Sequence, residues 1–255
     1  MSELLGFLPR PGGGRLAWRR LEGRGATVVW LGGFRSDMSG TKAQALADWA
    51  ARAGRPFLRF DYSGHGESAG DFAEGTIGRW RDDALAVIDE LARGPLILVG
   101  SSMGGWLACL AALARPERVS GLVLIAPAAD FTETLMWPAL GAAARAAIES
   151  DGVWMQRSDY GAPYPLTRAL FEDGRRWSLL PGPVRIAAPV RILQGVVDPD
   201  VPWRHALDLA DALEGHDVTV TLVKAGDHRL STPADLQRLT GEVEALAAMA
   251  DSPSR

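Results

Sequence analysis

Leu96-Ile-Leu-Val-Gly100-Ser-Ser102-Met-Gly104-Gly-Trp-Leu-Ala-Cys-Leu110 decides the fold. A short apolar run leads into glycine-x-serine-x-glycine, and a helix-forming apolar stretch follows at once. That is a buried strand, a sharp turn and a helix, the arrangement of a nucleophile elbow. Gly100 and Gly104 leave space where side chains would clash. The turn lifts Ser102 to the end of the strand, beside the N–H groups of a helix N-terminus. Ser101 is the neighbouring hydroxyl, but only Ser102 has glycine at spacing two on both sides.

Working outward from that turn, two kinds of segment alternate. Ala26–Leu31, Pro56–Asp61, Leu96–Gly100, Val119–Ala126, Val190–Gly195 and Val218–Lys224 are short apolar or β-branched runs bounded by Gly, Asp or Pro. They read as strands buried on both faces. Thr41–Ala53, Arg79–Leu91, Met103–Ala114, Trp203–Leu213 and Ala234–Ala250 carry helical spacing. Strands alternating with helices of this length predict βαβ crossovers and a mostly parallel sheet, hence an α/β fold. Arg15–Leu21 adds an antiparallel edge strand.

A serine hydroxyl is a weak nucleophile without a base, and the base needs an acid to orient it. The chain has four histidines. His228, in Lys224-Ala-Gly-Asp-His228, follows the last predicted strand and is the candidate base. His205 falls inside a predicted helix and His216 in a Gly-His-Asp turn, so both are expected at the surface. The acid lies in Gly195-Val-Val-Asp198-Pro-Asp200-Val-Pro-Trp203, where Asp198 is preferred over Asp200 because it follows its strand directly. Asp227 is too close to His228 in sequence to orient it and is expected to fix the loop.

An oxyanion needs two backbone donors. The Met103 amide, just after the nucleophile, is one. The Phe34 amide, at the end of Val28-Val-Trp-Leu31-Gly32-Gly33-Phe34, is expected to be the other. His65, in Asp61-Tyr-Ser-Gly64-His65-Gly66-Glu-Ser68, is expected to be structural, and Cys109 a packing residue.

From Asp130 to about Arg185 the rhythm breaks. No strand is evident, an Ala-rich helix is expected at Ala139–Glu149, and seven of the 19 aromatic residues fall here: Phe131, Trp137, Trp154, Tyr160, Tyr164, Phe171 and Trp177. A long insertion between sheet strands predicts a helical lid, with Trp137, Trp154 and Trp177 as substrate contacts.

The 255 residues, 47% hydrophobic, suffice for one core, so a single domain with a lid at about 130–185 is expected. A net charge of -4 with no basic run argues against nucleic acid. One cysteine allows no internal disulfide. No signal-type h-region and no apolar run of membrane-spanning length occur, so a cytoplasmic location without stable membrane association is expected. No zinc-ligand cluster, Walker loop or dinucleotide fingerprint is present, so no metal or cofactor is expected.

Gly32-Gly-Phe-Arg-Ser-Asp-Met38-Ser-Gly40, Arg59-Phe-Asp-Tyr-Ser-Gly64, Gly100-Ser-Ser-Met-Gly-Gly-Trp106, Asp198-Pro-Asp-Val-Pro-Trp203 and Asp227-His-Arg229 carry a closer likeness. Together they resemble the α/β-hydrolase family, and within it a branch containing a mitochondrial acyl-protein (palmitoyl) thioesterase and acyl-glucuronide esterase. The likeness runs from about residue 26 to 248. It implies an α/β-hydrolase fold, the Ser102, Asp198, His228 set, and a small-molecule or acyl-protein ester or thioester as substrate. Gly32 departs from the family pattern, where many relatives carry histidine, and the chain shows no mitochondrial presequence. Hydrolysis of a carbon–carbon bond or an amide, and a binding protein without turnover, are the alternatives.

Overall fold

The computed structural model describes residues 3–158, 161–180 and 182–252. The expected strands, together with one further edge strand at the start of the chain, form one eight-stranded sheet in the order β1-β2-β4-β3-β5-β6-β9-β10. These are β1 (Leu4–Pro9), β2 (Arg15–Leu21), β3 (Thr27–Leu31), β4 (Phe57–Phe60), β5 (Leu96–Ser101), β6 (Val119–Ile125), β9 (Val190–Gly195) and β10 (Val218–Val223). The pairs β1–β2 and β2–β4 are antiparallel and every other neighbour is parallel.

The parallel strands β3, β4, β5, β6 and β9 are buried on both faces, with β10 at the more exposed edge, and successive residues point to opposite sides. Val29, Leu31, Leu98, Leu122 and Leu124 meet α2 (Ile77–Leu91) and α3 (Met103–Ala114). Val28, Trp30, Ile97, Val99, Val123 and Ile125 meet α1 (Thr41–Ala53) and α8 (Pro233–Asp251). This double burial removes the polar–apolar alternation from the sequence and leaves the continuous apolar runs seen there. The starts of α2 and α8 follow local capping chemistry. Thr76 Oγ1 accepts from the Arg79 amide at 3.2 Å, so α2 begins two residues before the expected Arg79. Thr232 and Asp235 form a reciprocal capping box on α8.

Two features were not legible. β1 is an exposed edge strand, with Leu5 75% exposed, and lacks a buried face to reveal it. The insertion between β6 and β9 holds, against expectation, a two-stranded antiparallel ribbon of β7 (Val153–Ser158) and β8 (Gly161–Thr167). Pro163 and Pro165 in β8 spoil its strand signature, yet proline is tolerated in a ribbon whose strands are all edges. The remainder of the insertion is a π-helical turn (Thr132–Met136), α4 (Trp137–Ala139), α5 (Ala142–Asp151) and α6 (Arg168–Arg176). The expected helix at 139–149 is broken because Leu140 is extended. Tyr160 lies outside the described residues.

Both ends of the insertion are tied together. The Asp130 carboxylate accepts the amides of Leu179 (2.9 and 3.0 Å) and Leu180 (3.0 Å). His205, on α7 (Trp203–Ala212), corrects the expectation of a surface residue. It is 6% exposed, with Nε2 2.7 Å from the Ala129 carbonyl oxygen. Its turn of α7 faces the sheet, so the ring is buried as a link to the insertion. His216 is exposed, as expected.

Candidate active site

Parallel strands bring their carboxyl ends to one edge of the sheet, and the loops leaving them converge. β3 leads to Gly32-Gly33-Phe34, β5 to Ser102, β9 to Asp198 and β10 to His228. At the β5–α3 turn Ser102 holds φ 55° and ψ −119°, a region costly for a residue with a Cβ. The glycines around it are obligatory. A Cβ at Gly100 would lie 2.2 Å from the Gly104 carbonyl oxygen, and one at Gly104 would lie 2.1 Å from that of Leu31. Helix α3 therefore starts directly against β3 and β5, with Ser102 at the apex.

Three expected side chains meet there although 126 positions separate the first from the last. His228 Nε2 is 3.2 Å from Ser102 Oγ, and His228 Nδ1 is 2.8 Å from Asp198 Oδ2. Asp198 is held from both sides. Its Oδ1 accepts the amides of Asp200 and Val201, each at 2.8 Å, and its Oδ2 accepts from Gln194 Nε2 at 3.1 Å. Burial by itself would raise the Asp198 carboxyl. The His228 ring and the Val201 and Asp200 amides outweigh it and hold the group below the usual carboxylate range. The carboxylate thus stays charged, which fixes the imidazole with its Nδ1 proton toward Asp198 and its Nε2 lone pair toward Ser102.

Asp200 contributes its amide to this set rather than its carboxylate. Asp227 Oδ1 accepts from the Arg229 and Leu230 amides and closes the turn carrying His228. Asp198, Asp200 and His228 could each offer a ligand atom within 4.8 Å of one another. A cation there would compete with the Asp198–His228 bond and with two backbone amides for the same oxygens, so the set does not fit a resident metal.

The loop after β3 passes close to the serine. A Cβ at Gly33 would come within 3.4 Å of Ser102 Cβ. Phe34 and Met103, the residues whose amides are expected to face an oxyanion, line one cleft of about 520 Å³ together with Ser102 and His228. The apolar wall is Phe34, Ala128, Phe131, Leu135, Met136, Tyr164 and Val201, and the rim is Arg35, Gln156, Arg157 and Asp200.

None of the three tryptophans expected to contact substrate lines that cleft among the described residues. Trp137 packs edge-on to Phe171, with ring centroids 5.1 Å apart. Trp154 Nε1 donates to Gln156 Oε1 at 3.2 Å. Trp177 lies under the Arg81 guanidinium at 4.4 Å, and its carbonyl accepts from Trp106 Nε1. They hold the insertion together and fasten it to α2 and α3. Phe131, the π-helical turn and Tyr164 face the serine instead. Gln194 and Tyr164 were missed as site residues. A buried glutamine two positions before the strand-end loop was the only signal for the first, and the hidden ribbon concealed the second.

Cys109 is fully buried, and burial, with Asp130 nearby, pushes its thiol up to about 12. It is a packing residue of α3.

A serine raised on the central strand–helix turn of such a sheet, with its histidine and aspartate delivered by later strand ends, defines the class as an α/β hydrolase of serine-hydrolase type. The family model described as serine aminopeptidase, S33, matches residues 24–157. Palmitoyl-protein thioesterase ABHD10, mitochondrial, from Mus musculus is 41% identical over 244 residues, 95% of this chain and 82% of that protein. The solved structure of alpha/beta hydrolase domain-containing protein 10 from mouse superposes with a TM-score of 0.88 at 40% identity, covering 96% of this chain and 99% of that one. A crystal structure of an Agrobacterium vitis S4 protein superposes with a TM-score of 0.92 at 43% identity, covering 97% and 100%. The chain belongs to the α/β-hydrolase family, among ester and thioester hydrolases with ABHD10-type thioesterases as homologues.

The expectation of a cytoplasmic location is overturned. The mammalian relatives at this level of identity are named as mitochondrial, not cytoplasmic. Among the described residues no helix is long and apolar enough to cross a membrane.

Proposed function

We propose that the chain hydrolyses acyl esters or thioesters through Ser102, His228 and Asp198 by way of an acyl-enzyme. The observation that carries this is the continuous relay from Asp198 Oδ2 through His228 to Ser102 Oγ, at 2.8 and 3.2 Å. His228 Nε2 takes the hydroxyl proton as Ser102 Oγ attacks the acyl carbonyl. The new oxyanion is met by the Met103 and Phe34 amides. His228 then gives its proton to the departing thiolate or alkoxide, and the acyl group remains on Ser102. A water deprotonated by His228 attacks the acyl-enzyme, and Ser102 recovers the proton as the acid leaves.

The apolar wall of the cleft suits an aliphatic or aryl acyl group. The relatives' printed activity, palmitoyl-protein thioesterase, supports a protein-borne or small-molecule thioester or ester as substrate. In this reading the chain is a single domain, and the insertion at about 130–185 is its lid. The family model's description as a serine aminopeptidase favours one second reading, an amide substrate attacked by the same serine.

The test is fluorophosphonate labelling with mass mapping, followed by turnover on p-nitrophenyl esters, acyl thioesters and aminoacyl p-nitroanilides. Labelling at Ser102 and turnover of the first two, both absent from Ser102→Ala, are expected. Labelling elsewhere, or near-full turnover by Ser102→Ala, would overturn the assignment. Turnover confined to the anilides would select the amide reading.

A further inference from the structure

The turn after β4 carries a histidine that the proposed reaction does not use. His65 is 5% exposed, and both of its ring nitrogens are engaged. Nε2 lies 3.2 Å from the Arg35 amide nitrogen, and Nδ1 lies 3.2 Å from the Ser63 carbonyl oxygen. A backbone N–H only donates, so Nε2 must be the unprotonated acceptor. A carbonyl only accepts, so Nδ1 must carry the proton. The two contacts select one neutral tautomer and leave no nitrogen for a second base. Burial, which lowers the pKa of this ring against a smaller opposing effect of the Ser63 carbonyl, favours the same neutral form.

The ring is also held in place. Tyr62, Phe72 and Trp80 surround it edge-on at centroid distances of 5.7, 5.2 and 5.2 Å. Trp80 Nε1 donates to the same Ser63 carbonyl at 3.1 Å. Its partner Arg35 stands at φ 59°, a conformation that a residue with a Cβ adopts only when its surroundings impose it. The peptide between Phe34 and Arg35 is therefore pinned by His65 at its amide end. The next peptide toward Gly33 carries the Phe34 N–H.

We propose that His65 is a positioning residue for the oxyanion hole: by accepting the Arg35 amide it fixes the loop after β3 and aims the Phe34 N–H at the developing oxyanion. The proposal rests on the reading of Ser102 as nucleophile and Phe34 as donor. It assigns no proton transfer to His65.

Three variants separate this role from simple packing. In His65→Gln the side-chain oxygen reaches the place of Nε2 and keeps an acceptor for Arg35. His65→Asn retains an amide but is too short to reach it, and His65→Leu fills the space without any acceptor. Turnover of p-nitrophenyl butyrate and inhibition by an alkyl trifluoromethyl ketone, whose adduct carries the oxyanion, are measured beside urea midpoints. Removing one oxyanion donor costs roughly 10²–10³ in kcat, and a misaimed donor should cost about 10-fold or more on the same scale. His65→Asn and His65→Leu are expected to lose kcat by that amount with KM nearly unchanged, and ketone affinity should fall in parallel. His65→Gln is expected to recover most of both.

Should His65→Leu fail to fold, the Gln and Asn pair decides. Equal kcat in the two, or a kcat loss with unchanged ketone affinity, overturns the proposal. Ser102→Ala runs alongside. If it is inactive while His65→Asn matches wild type, only the His65 role fails. If Ser102→Ala itself turns over, the nucleophile assignment fails and takes this role with it.

Discussion

The carboxylate of Asp198 accepts the backbone amide of Asp200 at 2.8 Å, so two acidic residues that compete in sequence for one role cooperate in a single turn. One supplies the charge and the other supplies an N–H that holds it. Asp198→Asn should therefore lower kcat by about 10⁴-fold, since the amide no longer fixes the tautomer of His228. Asp200→Asn keeps the backbone donor and should stay far closer to wild type. Steady-state rates on one p-nitrophenyl ester decide it, and a larger loss at Asp200 reverses the assignment. EDTA should leave the rates unchanged.

The depressed Asp198 carboxyl also links stability to pH. A carboxyl lowered on folding contributes stability that is fully present above its unfolded value, about 3.9 for aspartate, and is lost as pH falls through the lower folded value. The stability gap between wild type and Asp198→Asn should be largest above that value and shrink on acidification below it. Urea midpoints of both proteins at pH 7, 5 and 3.5 measure the gap. A gap that widens on acidification would contradict the hydrogen-bond account of Asp198.

Cys109 should be silent. Its thiol is pushed up to about 12 by burial, so at pH 8 almost none is thiolate, and no reagent reaches it in the folded chain. Ellman's reagent should find no thiol in native protein and one equivalent in guanidinium. Cys109→Ala should retain turnover. Rapid native labelling coupled to loss of activity would place the cysteine in the site after all.

Acyl-chain preference should follow the residues that line the cleft and not the tryptophans of the insertion. Each buried methylene is worth roughly 0.8 kcal/mol, so four more would raise kcat/KM by about a hundredfold until the wall at Leu135, Met136 and Tyr164 is reached. Met136→Ala or Tyr164→Ala should move the optimum to longer or bulkier chains. Trp137→Ala and Trp154→Ala should lower the melting temperature and affect all esters alike. A chain-length series on the four variants distinguishes them, and a shifted optimum in the tryptophan variants alone would refute the assignment of the wall.

Buried strands and their turns were legible because local composition encodes them. An apolar run between Gly and Asp needs no partner to be recognised, and Gly100-Ser-Ser102-Met-Gly104 states its own geometry. The chain order of Ser102, Asp198 and His228 was legible for the same reason, each falling just past a strand end. β1 was not, since it lacks a buried face, and the β7–β8 ribbon was not, since β8 carries two prolines.

The sequence by itself determined the sheet except its outermost strand, the elbow and the identity of the three side chains that meet at its edge. Only the tertiary structure decided which aromatics face Ser102, that Gln194 braces Asp198, that His205 is buried against Ala129, and that His65 faces Arg35. The last three contacts join residues 4, 76 and 30 positions apart. Strand and elbow signals arise from neighbouring residues within one element. Rotation of a side chain toward or away from a cleft depends instead on how separate elements pack, and no local pattern of hydrophobicity records it.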